Sequence, residues 1–441
     1  MTSIGHVIQN GTRLVQPSGH ERRRLESLVG TLLSRTRAEA RKHEEIRDVI
    51  LGGSYAKDTW LPHDVDIDVF VRFSPSTDES AFERIGLQVG ARATAGFPRG
   101  KRYAQHPYTE ASIDGTKVNV VPCYDVEPNE WKSAADRSPY HVKVVERLPE
   151  GQKLQVRLLK RFMKCVGVYG AEIESEGFSG YAAEVLVMAY HDFEGVLRFF
   201  SEFKPYSSEQ MMRLQDPVDE ARDLAKAISD EKLARMMLAS RAFLKRPSLA
   251  YFRGLRGRRR SALQGRIVAV LFTHVRLSED TLWGELKRTL RHLEAYVEAH
   301  DFRIARSAAV SNGADSSAFL LLPEFETLPP IQQRTGPPVD RTAETEEFIA
   351  KNRRRARLLW VGDDGRLLLV QDREFTRLSS LLEDILPRIR RVGASREIAP
   401  GIAESGVVLW GKALARESAS KPWLGSGLNR IVSDTIGTGS T

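Results

Sequence analysis

Ile50-Leu51-Gly52-Gly53-Ser54-Tyr55, followed by Asp64-Val65-Asp66-Ile67-Asp68-Val69-Phe70, is the stretch whose reading decides the fold. Side chains alternate faces along a strand, so Asp66 and Asp68 project together while Val65, Ile67 and Val69 face a core. Two carboxylates on one face of a buried strand repel each other, a cost that a cation between them removes. Aspartate disfavours strands, so a pair inside a Val/Ile/Phe run calls for a chemical reason. Upstream, Gly53-Ser54 opens a helix, where free backbone N–H groups and a hydroxyl suit a phosphate chain. Phosphates at a helix start, with divalent ions on neighbouring carboxylates, is the layout of two-metal phosphoryl chemistry. The plain alternative is a solvated acidic strand end after a glycine turn.

At 441 residues the chain is long enough for several domains, roughly three at usual domain sizes. Its apolar fraction of 41% supplies real cores. A net charge of +8 and a pI near 9.4 suit a polyanionic partner. Only Cys123 and Cys165 occur, without Cys-x-x-Cys spacing, and the ten histidines show no ligand spacing. A disulfide framework or zinc site is therefore not expected, and a reducing cytoplasm is. The N-terminus has no apolar signal region and no run reaches membrane-spanning length, so no membrane association is expected.

Composition and periodicity divide the chain into 1–140, 141–255 and 256–441, a multidomain α+β protein. Residues 1 to about 48 read as helical. Strands and a helix alternate from 49 to about 126, where Val118-Asn119-Val120-Val121 is a buried strand entered through an Asp114-Gly115 hairpin turn. Helical spacing then dominates, with Leu158, Leu159, Phe162 and Met163 on one face and Leu233, Met236, Met237 and Phe243 on another. Beyond the basic run Arg253-Gly254-Leu255-Arg256-Gly257-Arg258-Arg259-Arg260, Ile267–Phe272 is a strand. A helix capped by Ser278 and two more strands follow, giving a ferredoxin-like β-α-β-β body. Proline-rich 323–340 reads as a loop, a last α/β segment spans about 345–415, and the Gly/Ser/Thr-rich tail after Leu424 reads as mobile.

A two-metal site ordinarily takes a third carboxylate from the strand beside the Asp-x-Asp strand, and here that position is Asn119, neutral and with a single oxygen. Asp64, two residues before Asp66, is the only nearby replacement along the sequence.

The chain resembles the archaeal-type (class I) CCA-adding enzymes, which are tRNA nucleotidyltransferases. The resemblance is carried by Gly-Ser-Tyr-Ala-Lys-Asp-Thr-Trp-Leu-Pro (53–62), Arg-Tyr-Ala-Gln-His-Pro-Tyr (102–108), Val-Asn-Val-Val-Pro-Cys-Tyr (118–124) and Ser-Ala-Ala-Asp-Arg-Ser-Pro-Tyr-His (133–141). Val-Arg-Leu-Leu-Lys-Arg-Phe-Met-Lys (156–164), Tyr-Gly-Ala-Glu (169–172), Gly-Phe-Ser-Gly-Tyr (177–181) and Asp-Pro-Val-Asp-Glu (216–220) continue it in order. It covers residues 50 to about 250 closely and the later region more loosely. It implies a polymerase-β-like nucleotidyltransferase head (1–140), a helical neck completing the NTP pocket (141–255) and a body and tail that grip tRNA (256–441). It further implies that Gly53, Ser54 and Lys57 meet phosphates and that Asp66 and Asp68 hold Mg²⁺. Ser138, His141, Lys160 and Tyr169 would line the triphosphate and sugar site, and Arg222 would reach the base edge. The implied partners are CTP, ATP and the 3′ end and elbow of tRNA, with a homodimer left open.

Two departures stand out: the family pattern has Asp where Asn119 stands, completing the catalytic carboxylate triad, and usually Glu where Gln105 stands. The first puts catalysis in question while leaving fold and binding untouched. Outside the head, Arg258, Arg259 and Arg260, then Arg353, Arg354 and Arg355, with Arg388, Arg390 and Arg391 beyond, are dense enough to suggest an RNA surface with salt-dependent affinity. Another template-independent nucleotidyltransferase, such as a poly(A) polymerase or oligoadenylate synthetase, and a non-catalytic tRNA-binding relative are the competing readings.

Overall fold

The computed structural model describes residues 3–103, 105–205, 211–254 and 261–433, so Arg258, Arg259 and Arg260 lie outside the described residues. Two compact units are present, the described residues to 254 forming the first and 261–433 the second.

The first unit begins with helices α1 (Ile4–Val15) and α2 (Gly19–Ala40), whose N-cap serines, Ser3 and Ser18, accept from the backbone N–H groups of His6 and Glu21. A five-stranded sheet follows: β1 (Ile46–Gly52), β2 (Asp66–Phe73), β3 (Arg99–Tyr103), β4 (Pro107–Ile113) and β5 (Thr116–Tyr124), in the order β1-β2-β5-β4-β3. Between β1 and β2 sits the one-turn helix α3 (Gly53–Ala56), and α4 (Glu79–Ala93) packs against β4 and β5. The β4–β5 hairpin turns through Asp114 and Gly115, both at positive φ (48° and 74°), as a tight two-residue hairpin demands. The pair β2–β5 is parallel and sets Asp68 beside Asn119; β4–β5 is antiparallel and sets Glu110 on the other side of Asn119. Directly paired residues share a sheet face, so this register decides which side chains meet.

The unit also holds helices α5 (Ser138–Glu146), α6 (Glu150–Val166), α7 (Gly180–Tyr190) and α8 (Phe193–Glu202) and the helices Asp230–Lys245 and Ala250–Arg253. Their apolar faces meet in a core where Phe162 lies 5.5 Å from Phe193 and 5.8 Å from Phe243, edge to face. Gly167, left-handed at φ 74°, ends α6 and turns the chain toward Tyr169.

In the second unit a four-stranded antiparallel sheet has the order β12-β6-β8-β7, from β6 (Val268–Thr273), β7 (Ile304–Ser311), β8 (Ser316–Pro323) and β12 (Val407–Trp410). The helix Glu279–Ala299, capped by Ser278, crosses from β6 to β7 and buries Leu282, Leu286, Leu293 and Val297. A separate three-stranded sheet runs β10-β11-β9, from β9 (Ile331–Pro338), β10 (Ala356–Val361) and β11 (Arg366–Asp372).

Two sequence expectations are corrected here. Residues 323–340 are not a loop throughout: Ile331–Pro338 is an edge strand against β11, where Pro337 and Pro338 leave no ladder hydrogen bond unmade in the sheet interior. The chain just beyond Leu424 is not mobile, because the helix Pro422–Ile431 buries Leu424, Leu428 and Ile431; residues 434–441 of the tail lie outside the described residues. Glycine and serine disfavour a helix only weakly against such burial. Among the described residues no helix is long and apolar enough to cross a membrane.

Candidate active site

Asp66 and Asp68 lie on one face of β2, and the register brings Asn119 and then Glu110 beside Asp68 on that face. Asn119 Nδ2 donates to Asp68 Oδ1 at 2.8 Å. A carboxylate only accepts, so this bond turns the amide and leaves Asn119 Oδ1 buried without a hydrogen-bond partner among the described residues. Burial raises the Asp68 carboxyl above the usual carboxylate range, against the pull of the Asn119 N–H. Burial also raises Asp66, with Lys117 opposing and Asp64 and Glu110 adding repulsion. Lys117 Nζ stands 3.2 Å from Glu110 and 3.7 Å from Asp66. Burial works against its charge, but the two carboxylates outweigh it and lift its pKa.

Gly53 is fitted to this row. It holds φ 64°, and a Cβ there would sit 1.9 Å from Asp68 Oδ2. Only glycine allows the turn before Ser54 to close on the carboxylate. Crowded carboxylates whose burial disfavours their charge, with a partnerless buried amide oxygen beside them, form an all-oxygen donor set suited to a hard divalent ion. Asp66, Asp68 and the Asn119 carbonyl oxygen are the residues that could hold one.

A second group lies between the sheet and the helices. Lys57 Nζ donates to Glu184 Oε2 at 2.6 Å, and Lys160 Nζ to Glu184 Oε1 at 2.7 Å. Thr59 Oγ1 donates to the same Glu184 oxygen at 2.5 Å and accepts from Lys160 at 2.9 Å. All four side chains are buried. Burial alone would raise Glu184, but the two ammonium groups overwhelm it and hold the carboxyl down to about 2. Lys57 and Lys160, expected at phosphates, are thus held by a carboxylate that the sequence reading did not single out. Its signal was there: Glu184 is the one charged residue in Gly180–Tyr190.

The third group centres on Asp216. His141 Nε2 lies 3.0 Å from Asp216 Oδ2, Arg222 donates to the same oxygen at 3.1 Å, and Tyr181 Oη donates to Oδ1 at 3.0 Å. The rings of His141 and Tyr181 stack at 3.8 Å, and Lys57 Nζ is 5.1 Å from the Tyr181 ring. Asp216 is held down to about 2; burial opposes this, and hydrogen bonds from His141, Val218 N–H and Tyr181 prevail. Burial lowers His141 below the ordinary histidine value, with Asp216 pulling the other way. Asp216 and Tyr181 stand within stretches that carried the family resemblance, yet nothing local marked them as the hub for His141 and Arg222.

Lys160 and Tyr169 do converge: a Cβ on Gly180 would lie 2.7 Å from Tyr169 Oη and 3.6 Å from Lys160 Nζ. Ser138 begins α5, the helix that packs against α3 and its Ser54. Asp64, the sequence's replacement candidate, lies before β2 and is tied to Lys164 at 2.5 Å, near enough to Asp66 to add to the repulsion there. Gln105 Oε1 accepts from Ala134 N–H at 2.9 Å. In the second unit, Arg353, Arg354 and Arg355 are exposed at the turn after the helix Thr342–Asn352. Arg354 and Arg355 line a hollow together with Arg334, Lys351 and Arg373.

The sheet with its carboxylate row defines a nucleotidyltransferase, and the family model described as "Nucleotidyltransferase domain" matches residues 33–141. Two further models match in order, "tRNA nucleotidyltransferase, second domain" over 154–253 and "CCA-adding enzyme, C-terminal domain" over 264–411. The chain is 34% identical to the CCA-adding enzyme of Pyrobaculum islandicum, across 88% of this chain and 94% of that one. It is 34% identical to that of Methanopyrus kandleri, over 94% and 91%, and 37% identical to that of Thermoplasma volcanium, over 76% and 78%. The chain belongs to the CCA-adding enzyme family, the tRNA nucleotidyltransferases.

Proposed function

We propose that this chain adds C, C and A to the 3′ end of tRNA from CTP and ATP, and that Asn119 slows the chemical step. The observation that carries this reading is the row Asp66–Asp68–Asn119, in which a neutral amide stands at the third ligand position and its oxygen has no hydrogen-bond partner among the described residues. When bound at Asp66 and Asp68, Mg²⁺ would offset the triphosphate charge and favour ionisation of the attacking hydroxyl.

The chain's own groups have complementary parts. Gly53 and Ser54 offer backbone N–H groups and a hydroxyl to the phosphates, and Ser138 begins α5, the helix packed against that turn. Lys57 and Lys160 supply positive charge in a dry setting where it counts most. Glu184 keeps both lysines in one place until a nucleotide competes for them. Tyr169 borders the sugar, while His141, held by Asp216, borders the phosphates. Arg222, anchored on the same carboxylate, presents its remaining donors to a base edge. Arg353, Arg354 and Arg355 neutralise backbone phosphates of the tRNA acceptor arm and elbow, with recognition by shape rather than sequence.

The test is extension of tRNA lacking its terminal CCA, given CTP, ATP and Mg²⁺ and read on a sequencing gel. Growth by three nucleotides supports the reading, and equal turnover by the Asn119→Asp chain would sink the slowed step. Growth on an RNA without a tRNA elbow, by repeated A, would place the chain with the poly(A) polymerases. Binding of tRNA without growth in either chain would support a non-catalytic relative, which Asn119 alone favours.

A further inference from the structure

The register of the sheet puts a carboxylate where the strand order, but not the chain order, makes it a neighbour. Glu110 on β4 is paired with Asn119, which is paired in turn with Asp68. The three lie in a line across the sheet on one face. Glutamate is one methylene longer than aspartate, and cross-strand neighbours stand about 5 Å apart. Glu110 is paired with Arg102 and Lys117 in the structure, and its carboxylate must swing back over residue 119 to join Asp66 and Asp68, a reach that an aspartate there would lack.

Three further facts bear on what Glu110 does. Asn119 is 8% exposed, and its buried Oδ1 has no hydrogen-bond partner among the described residues. Lys117 places its ammonium between Glu110 and Asp66, at 3.2 and 3.7 Å, so a positive charge already bridges the two carboxylates. The other partner of Glu110 is Arg102 on the edge strand β3, at 2.8 Å, with its side chain half exposed. Exposed pairs of that kind are weak and release cheaply.

We propose that Glu110 supplies from β4 a carboxylate in partial replacement of the one position 119 lacks, without restoring it beside Asp68, so that Asp66, Asp68, Glu110 and the Asn119 carbonyl oxygen together form one divalent-cation site, with Lys117 as its internal counter-ion. The inference rests on the reading of Asp66 and Asp68 as metal ligands. It explains why a neutral residue at 119 sits among so many charges: the negative charge is moved one strand over, and Lys117 balances it while the cation is absent. All donors are oxygen, the set that Mg²⁺ and Mn²⁺ prefer.

The experiment is titration of the full chain with Mn²⁺ alone, following the free-ion electron paramagnetic resonance signal, with no nucleotide or tRNA present. Glu110→Gln should weaken binding by about tenfold, as removal of one close unit charge implies. Lys117→Met should tighten it by at least about threefold, because a competing cation is gone. The two variants move in opposite directions, so a general loss of folding cannot mimic the result. If Glu110→Gln binds Mn²⁺ within about twofold of the parent while Asp68→Asn loses it, Glu110 is no ligand and the inference fails, though the metal reading of Asp68 survives. If Asp68→Asn also binds unchanged, the inference and the metal reading fall together. Weaker binding by Lys117→Met overturns the counter-ion role.

Discussion

Asn119 gives its amide hydrogen to Asp68 across the parallel pair β2–β5, at 2.8 Å, and its oxygen finds no hydrogen-bond partner among the described residues. The bond eases the burial of one carboxylate, and it marks the place where a third would repel it. Replacing Asn119 with Asp exchanges a donor for a charge. In metal-free buffer the Asn119→Asp chain should lose about 1–3 kcal/mol of stability, the cost of an unmade buried hydrogen bond. Mg²⁺ should raise its melting temperature more than it raises that of the parent, and nucleotide addition should rise by at least about tenfold. Identical melting with and without Mg²⁺ and unchanged addition would remove position 119 from the ligand set.

Gly53→Ala places a methyl against Asp68 Oδ2 and forces a non-glycine residue into left-handed φ. The backbone alone costs about 1–2 kcal/mol, and the clash must displace either the turn or the carboxylate. Urea unfolding should report the loss, and nucleotide addition should fall further than stability explains. A variant as stable and active as the parent would mean that Asp68 moves freely.

Glu184→Gln leaves Lys57 and Lys160 buried beside a neutral amide. Breaking a buried pair in this way costs about 3–5 kcal/mol. Glu184 titrates near 2 in the folded chain and at about 4.3 when unfolded, so its stabilisation is present above the unfolded value and is lost as pH falls toward 2. The stability gap between parent and variant, followed by denaturant unfolding, should therefore be full at pH 6 and narrow below pH 4.5. A gap that does not change with pH would assign the loss to packing instead.

Asp216→Asn tests the hub. His141 is lowered by burial and pulled back by Asp216, so removing that charge should send its pKa lower still in an NMR titration. A histidine whose folded pKa lies below its unfolded value costs stability as pH falls through about 6.5 and below. The variant should lose stability over that window more steeply than the parent. An upward shift of His141 would contradict the geometry.

Replacing Arg353, Arg354 and Arg355 together with Ala should weaken tRNA binding and reduce the slope of log affinity against log salt by about 2, since each phosphate contact contributes roughly 0.7–0.9. An unchanged slope puts the cluster outside the interface.

The sequence by itself determined what depends on neighbours along the chain. Asp66 and Asp68 share a face because a strand repeats every two residues, Asp114-Gly115 turns because it tolerates positive φ, and Ser278 caps a helix because its hydroxyl reaches the next turn. It also exposed Asn119 as a departure, through the motif around it. Tertiary structure alone decided what depends on register and packing. Glu110 stands beside Asn119 because two antiparallel strands pair in one register, whereas reading along the chain pointed to Asp64, which is paired with Lys164. Glu184 meets Lys57 across 127 positions, and Asp216 meets His141 across 75. No local periodicity encodes such contacts: a charge in a dry interior must find its partner wherever the folded chain brings one. Proline spacing likewise concealed the edge strand Ile331–Pro338, because an edge needs hydrogen bonds on one side only.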